Sequence, residues 1–228
     1  MSTLSELIAN VQNSPDRGTA NRARSFTKRQ LVSWINITRA FLITKDVEKG
    51  DSFPVAFQQD LGCVPLEQVD QADCPNGWEW GDDVKRAVFP DVMEIKDNAG
   101  IAFFGLIDKR TQIYLPSQIY GELDDALRYK GKNKWLSQMI GNNTIYIKGP
   151  TVPKLKVVNI RGIFKDPTLV SFYTALGEKY CYDPDKDQYP LPGDLEGVLY
   201  QMVWANYILP FVQAPRDNTN QEANKALV

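Results

Sequence analysis

The sequence predicts an α+β fold, with helices near both termini around a small, mostly antiparallel β region and a flexible C-terminal tail. Two capped helix signals and a central group of short apolar segments separated by turns indicate this class. The chain has 228 residues, of which 43% are hydrophobic, enough for a globular core. We expect one structural domain over residues 1–213 and a flexible or docking tail over residues 214–228.

The sequence predicts two helices in the N-terminal part. A short helix over about residues 5–11 precedes a breaker at Asn13-Ser14-Pro15. Thr27 and Gln30 then form a capping-box pattern that opens a helix over about residues 28–47. Ser33, Asn36 and Arg39 can face away from its apolar side. That side is predicted to serve as core or subunit interface, and it comprises Leu31, Trp34, Ile35, Thr38, Phe41 and Leu42.

For the middle of the chain, the sequence predicts an irregular excursion followed by β-strands. Residues 50–86 are rich in Pro, Gly, Asp and Gln and show no sustained period, so we expect no regular element there. A hairpin turn is predicted at Asn98-Ala99-Gly100 and a short helix over residues 118–127. Strands are predicted over residues 87–95, 101–107, 112–115, 144–148 and 154–163.

The C-terminal part contains two more helix signals. Asp166 followed by Pro167 supplies an N-cap and a proline at the first helical position, which predicts a helix over residues 167–176. A last helix is expected over about residues 192–208, ended by Pro210. The small, polar residues 214–228 cannot bury enough apolar surface to fold alone.

The composition argues against an enzyme and against bound cofactors. The chain has no histidine, which excludes Ser-His-Asp, Cys-His and His-metal chemistries. No motif supports catalysis by carboxylates or lysine, so we predict a non-enzymatic protein without a cofactor. The odd number of cysteines, three, is typical of reduced thiols. The sequence contains no secretion signal or apolar stretch long enough to cross a bilayer, so no membrane partner is expected.

Metal sites are possible at two places, and neither pattern is complete. Zinc would need the three cysteines plus a carboxylate. The acidic residues Asp183, Asp185 and Asp187 occupy the first ligand positions of an EF-hand loop, but Gln188 stands where that loop needs glycine. We therefore predict no metal site.

Charge alternates in blocks along the chain. Residues 1–59 carry +3, residues 60–97 carry −7, residues 98–165 carry +7 and residues 166–228 carry −5. Solvated faces account for such blocks in most proteins. The alternative is a pair of complementary surfaces that meet between neighbouring subunits of a ring.

Two basic segments, residues 17–29 and 128–134, leave a nucleic-acid-binding module as an alternative function. Lys130, Lys132 and Lys134 lie next to Trp135 and could each neutralise a DNA phosphate. A solvated loop is the commoner explanation for such a group.

The order of several stretches resembles structural proteins of crAss-like phages, which are short-tailed viruses of gut bacteria. These stretches are residues 27–36, 39–43 and 59–66 with Cys74, then residues 160–168, Tyr189-Pro190-Leu191-Pro192 and residues 215–220. The resemblance spans most of the chain and contains no catalytic motif.

The resemblance implies a virion protein similar in role to the portal adaptor or tail-tubular rings of the head-to-tail connector. Such a protein would form a ring of twelve copies, contact the portal protein or neighbouring tail rings, and enclose passing DNA without sequence specificity. It would be made in the host bacterial cytoplasm. From the resembling stretches we take as candidate partner contacts Arg161, Phe164, Asp166, Pro215, Asn218 and Asn220. The position of the ring within the neck or tail is left open.

Overall fold

The computed structural model confirms the α+β class. It describes residues 2–13, 26–49, 55–74, 79–95, 98–107, 136–173 and 181–210. Within these ranges the α-helices are α1 (Leu4–Asn13), α2 (Lys28–Lys49) and α3 (Gly193–Val203), and α3 continues as a π-helical turn at Trp204–Ile208. The strands are β1 (Gln59–Gln68), β2 (Val84–Val88), β3 (Glu94–Ile95), β4 (Asn98–Ala99), β5 (Ile101–Gly105), β6 (Leu136–Ile140), β7 (Thr144–Lys148) and β8 (Val157–Gly162).

Helix α2 begins at the capping box that the sequence predicts. The Thr27 amide donates to the Gln30 side-chain oxygen at 2.9 Å, and the Gln30 amide donates to the Thr27 hydroxyl at 3.3 Å. These reciprocal bonds satisfy amides that the first turn leaves without helical partners. The helix therefore starts at Lys28, as expected.

Six strands form one antiparallel sheet in the order β5-β8-β1-β2-β7-β6. The central position of β1 corrects the prediction of an irregular excursion over residues 50–86. Gly62 and Cys63 fall in a bulge where the pairing of β1 with β8 shifts between Leu61 and Val64. A bulge removes the alternation by which a strand is recognised in sequence, so pairing on both sides defines β1 where the local pattern does not.

Three further predictions need correction. The turn predicted at residues 98–100 is wrong, because Asn98 and Ala99 pair with Ile95 and Glu94 as strand β4. The strand predicted over residues 87–95 ends at Val88 and resumes only at Glu94. The helix predicted over residues 167–176 is a 3₁₀ helix, Pro167–Phe172, although Asp166 caps it as expected.

Strands β7 and β8 confirm the predictions for residues 144–148 and for the interior of 154–163. Strand β6 was not predicted. The strand predicted at residues 112–115, the helix at residues 118–127 and the tail at residues 214–228 lie outside the described residues.

Besides a small cluster of Val69, Val84 and Tyr146, the described residues build two large hydrophobic cores. One lies among the helices and includes Leu7, Leu31, Ile35, Leu199 and Val203. The other lies against the sheet and includes Leu61, Ala87, Phe104, Ile145 and Ile160. The helical layer sits at the end of the sheet where β1 begins, since the Gln59 side chain donates to the Pro167 carbonyl and Met93, after β2, packs in the helical core.

Candidate assembly surface

Arg39 joins the two cores from a fully buried position on α2. Its guanidinium donates to three main-chain carbonyls: Nε to Pro190 at 2.8 Å, Nη1 to Phe164 at 2.9 Å and Nη2 to Phe57 at 3.2 Å. Burial lowers the pKa of Arg39 from its usual value. The expectation that Arg39 faces away from the packed side of α2 is wrong, because these segments present carbonyls that need a donor inside the protein.

A polar chain extends from Arg39 towards the surface. The guanidinium lies 5.8 Å from the centre of the Tyr189 ring, and the Tyr189 hydroxyl donates to the Asn36 side-chain oxygen at 2.8 Å. Asn36, also buried, donates to Asp166 at 3.0 Å, and the same carboxylate oxygen accepts the Thr168 amide at 2.9 Å. Asp166 is thereby held at the start of the 3₁₀ helix.

Asn36 and Asp166, two members of these polar contacts, line a groove of about 630 Å³ along α2. One wall belongs to the helix and the other to the segments that follow β2 and β8. The lining residues are Arg29, Val32, Ser33, Asn36, Ile37, Ala40, Met93, Glu94, Lys165 and Asp166. We call this surface the α2 groove.

Two large apolar side chains stand exposed on α2 beside the groove. Ile37 is 52% exposed and Phe41, one turn later, is 48% exposed. The prediction placed Phe41 with the inward-facing residues, and the structure corrects this. Neighbouring exposed apolar side chains of this kind are typical of protein contact surfaces.

The charged side chains at the groove differ in whether they already bind a partner within the protein. Glu94 accepts a hydrogen bond from Asn142 at 2.7 Å, and Asp166 accepts from Asn36 and Thr168. Within the described ranges, Arg29 and Lys165 make no ion pair. Two cations at the groove are thus available to an incoming acidic group.

The predicted partner contacts on the described part of the chain differ in how exposed their side chains are. Arg161 is exposed on β8, with its guanidinium 6.0 Å from the centre of the Phe103 ring. Phe164 is fully buried in the sheet core, so its side chain offers no surface to a partner, contrary to the prediction. Asp166 lines the α2 groove.

The other candidate contacts lie outside the described residues. They are Pro215, Asn218, Asn220, Lys130, Lys132 and Lys134, with most of the basic segment 17–29. The expectations for these residues stay predictions.

The acidic loop after Tyr182 is held together by hydrogen bonds between its own residues. The Asp183 amide donates to Asp187 at 2.7 Å, and the Asp185 amide donates to Asp183 at 3.0 Å. The Asp185 amide lowers the pKa of the Asp183 carboxyl. Ser5 of α1 donates to Asp185, so the loop anchors the N-terminal helix. Among the residues that the structure describes, no three acidic or cysteine side chains are grouped to hold a metal ion.

Among the described residues Cys63, Cys74 and Cys181 form no disulfide, and each side chain is half-buried. Burial raises the pKa of Cys181, which keeps this thiol protonated and less reactive. Within the described ranges, no helix combines the length and apolar composition needed to cross a bilayer.

A family of known proteins matches this chain, whose two large cores are connected by buried hydrogen bonds and whose α2 groove is open to a partner. A family model described as phage tail ring protein 2 matches residues 6–225. No curated protein matches the chain significantly. The family match covers nearly the whole sequence and confirms the resemblance to ring proteins of crAss-like phages. The chain belongs to the phage tail ring protein 2 family, and it is a structural protein of the phage tail.

Proposed function

We propose that this chain forms a closed ring of twelve identical subunits in the head-to-tail connector, where it joins the portal to the short tail and encloses the DNA channel. The family match over residues 6–225 carries the proposal, because it supports a tail ring protein over almost the whole chain. The subunits are made in the host cytoplasm and function in the virion.

A ring under load needs subunits that keep their shape. The Arg39 hydrogen bonds connect α2 to the segments before β1, after β8 and before α3, so the helical layer and the sheet are linked by charged, buried contacts. This rigid connection favours a role in transmitting force between rings.

DNA passes through the ring without sequence-specific contacts. Lys130, Lys132 and Lys134 are the residues proposed to contact its phosphates, since each lysine neutralises one backbone charge. Neutral substitutions there should lower DNA retention in the particle without changing ring assembly.

Electron cryomicroscopy of purified particles tests the proposal. We expect density for this chain as a ring of twelve copies between portal and tail, with an axial channel wide enough for duplex DNA. A different copy number would correct the stoichiometry, while a location away from the portal-tail axis would contradict the connector role.

A further inference from the structure

A second exposed surface lies at the far end of the sheet from the α2 groove. Strand β1 runs away from the helical layer for ten residues, about 33 Å at the usual rise of a strand. The chain then returns through β2. Asp70, Glu79, Trp80 and Asp82, all exposed, lie between these two strands, and we call this surface the β1–β2 tip.

Trp80 is suited to contact a partner at this tip, because its ring is exposed and its orientation is fixed. Its indole is 53% exposed, yet its N–H donates to the Val69 carbonyl at 2.8 Å. The Glu79 carbonyl next to it accepts from Lys148 at 2.9 Å. A large aromatic ring that is oriented before binding loses little conformational freedom in a contact.

The exposed side chains at the tip, Asp70, Glu79 and Asp82, are acidic, while Lys148 donates to the main chain of Glu79 there. Among described residues, Asp70, Glu79 and Asp82 make no ion pair, whereas Asp73 and Glu67 are both occupied by Arg86 at 3.1 Å. Lys85, the residue before Arg86 on β2, extends from the opposite face of the strand and donates to the Pro153 and Leu155 carbonyls.

From these features we infer that the β1–β2 tip of one subunit docks in the α2 groove of the next copy of this chain. Trp80 packs against Ile37 and the apolar groove wall, and the tip carboxylates pair with Arg29 and Lys165. The inference rests on the proposed ring and names the lateral contact within it.

The positions of the two surfaces suit a closed ring. Neighbours in a ring of twelve are rotated by only about 30°, so each subunit must present two different surfaces on nearly opposite sides. The groove lies at the helical end of the sheet and the tip at its other end. A contact that joins opposite ends is head-to-tail, and it closes into a ring of twelve when neighbours are related by a 30° rotation, about one twelfth of a turn.

The experiment uses two variants of the full chain. The groove variant carries Ile37→Asp and Phe41→Asp, and the tip variant carries Trp80→Ala and Asp82→Lys. Exposed Phe172, on the 3₁₀ helix, provides the matched control Phe172→Asp. Thermal unfolding by circular dichroism checks that all variants fold, and sedimentation velocity with native mass spectrometry reports the oligomers.

We expect wild type and Phe172→Asp to form the closed oligomer. Each contact variant alone should be monomeric, with the Kd of the contact raised about thirtyfold or more. An equal mixture of both variants should give a dimer as its largest species, because one intact tip meets one intact groove. Arg29→Glu should weaken assembly, and adding Asp82→Lys should restore it in part.

Each contrary result has a distinct meaning. Variants that assemble like wild type, or monomeric variants whose mixture forms no dimer, overturn the tip-groove contact and leave the ring intact. A wild-type chain that stays monomeric at its highest soluble concentration also overturns the contact. If particles contain no ring of this chain, the proposed function fails, whatever the contact experiments give.

Discussion

Arg39 is buried, although the helical pattern of the sequence predicts that it faces away from the apolar side of α2. It occupies an interior position on α2 and donates to carbonyls of three other segments. Removing such a donor leaves buried acceptors without partners, which costs far more than losing an exposed ion pair.

We therefore predict that Arg39→Met lowers the free energy of unfolding by about 3–5 kcal/mol, because three buried carbonyls lose their donor. The control is Arg86→Met, which removes partly exposed pairs with Glu67 and Asp73 and should cost no more than about 1 kcal/mol. Urea unfolding followed by circular dichroism measures both. Equal losses in the two variants would contradict the structural role given to Arg39.

Two buried tyrosines allow a second comparison at the residue scale. The Tyr189 hydroxyl donates to Asn36 at 2.8 Å, whereas the buried Tyr182 hydroxyl bonds to no described residue. We predict that Tyr189→Phe destabilises the fold by about 1 kcal/mol and that Tyr182→Phe is neutral or stabilising. Urea unfolding at neutral pH measures the difference, and the reverse order would contradict the assigned hydrogen bonds.

The same tyrosines predict alkaline sensitivity. Burial raises the pKa of both phenols above their usual value. The unfolded chain therefore ionises first, so stability is fully present below about pH 10 and is lost as pH rises towards the folded pKa values. Unfolding measured from neutral pH upwards should show this loss, and Tyr182→Phe should reduce it.

At the scale of elements, α2 shows what local chemistry determines. Its capping box lies within four consecutive residues, so the start of the helix is readable without knowledge of the fold. The inward face was predicted only in part, because Asn36 and Arg39 are buried and Phe41 is exposed.

We predict that Thr27→Ala lowers the free energy of unfolding by about 1 kcal/mol, since it removes the hydroxyl that accepts from the Gln30 amide. Thr27→Ser keeps that acceptor and is the control. Thermal unfolding compares the two. Equal melting temperatures for wild type and Thr27→Ala would show that the cap contributes nothing.

Strand β1 shows what local chemistry leaves undetermined. Its residues include glycine and proline, which favour turns, and its bulge interrupts the alternation of buried and exposed side chains. Only pairing with β2 and β8 makes it a strand. Strand β6 was also not predicted, although its partner β7 lies next to it in the chain.

At the scale of the whole molecule, two cores are joined by Arg39, and two exposed surfaces lie at opposite ends. Charge blocks of opposite sign follow one another along the sequence, but the sequence does not specify which residues share a surface. Strand pairing places Asp70 and Trp80 at one end of the sheet, and the packing of α2 places Arg29 and Ile37 at the other. The α2 groove was not predicted because its walls are distant in sequence.

We propose that the tail, residues 214–228 with Pro215, Asn218 and Asn220, docks on a neighbouring ring. A chain lacking these residues should fold with an unchanged melting temperature and form fewer filled, tailed particles. Complementation of a phage deficient in this chain, scored by particle yield, measures the effect. A scrambled tail of the same composition is the control, and undiminished yields after deletion would refute docking.

The sequence by itself determined the α+β class, the start of α2, the cap at Asp166 and the resemblance to phage ring proteins. Each of these depends on neighbouring residues or on the order of local signals. Tertiary structure alone decided that β1 is central, that Arg39 is buried and that Phe164 is core. These outcomes depend on hydrogen-bond partners and packing surfaces supplied by distant segments, and the identity of a residue does not specify them.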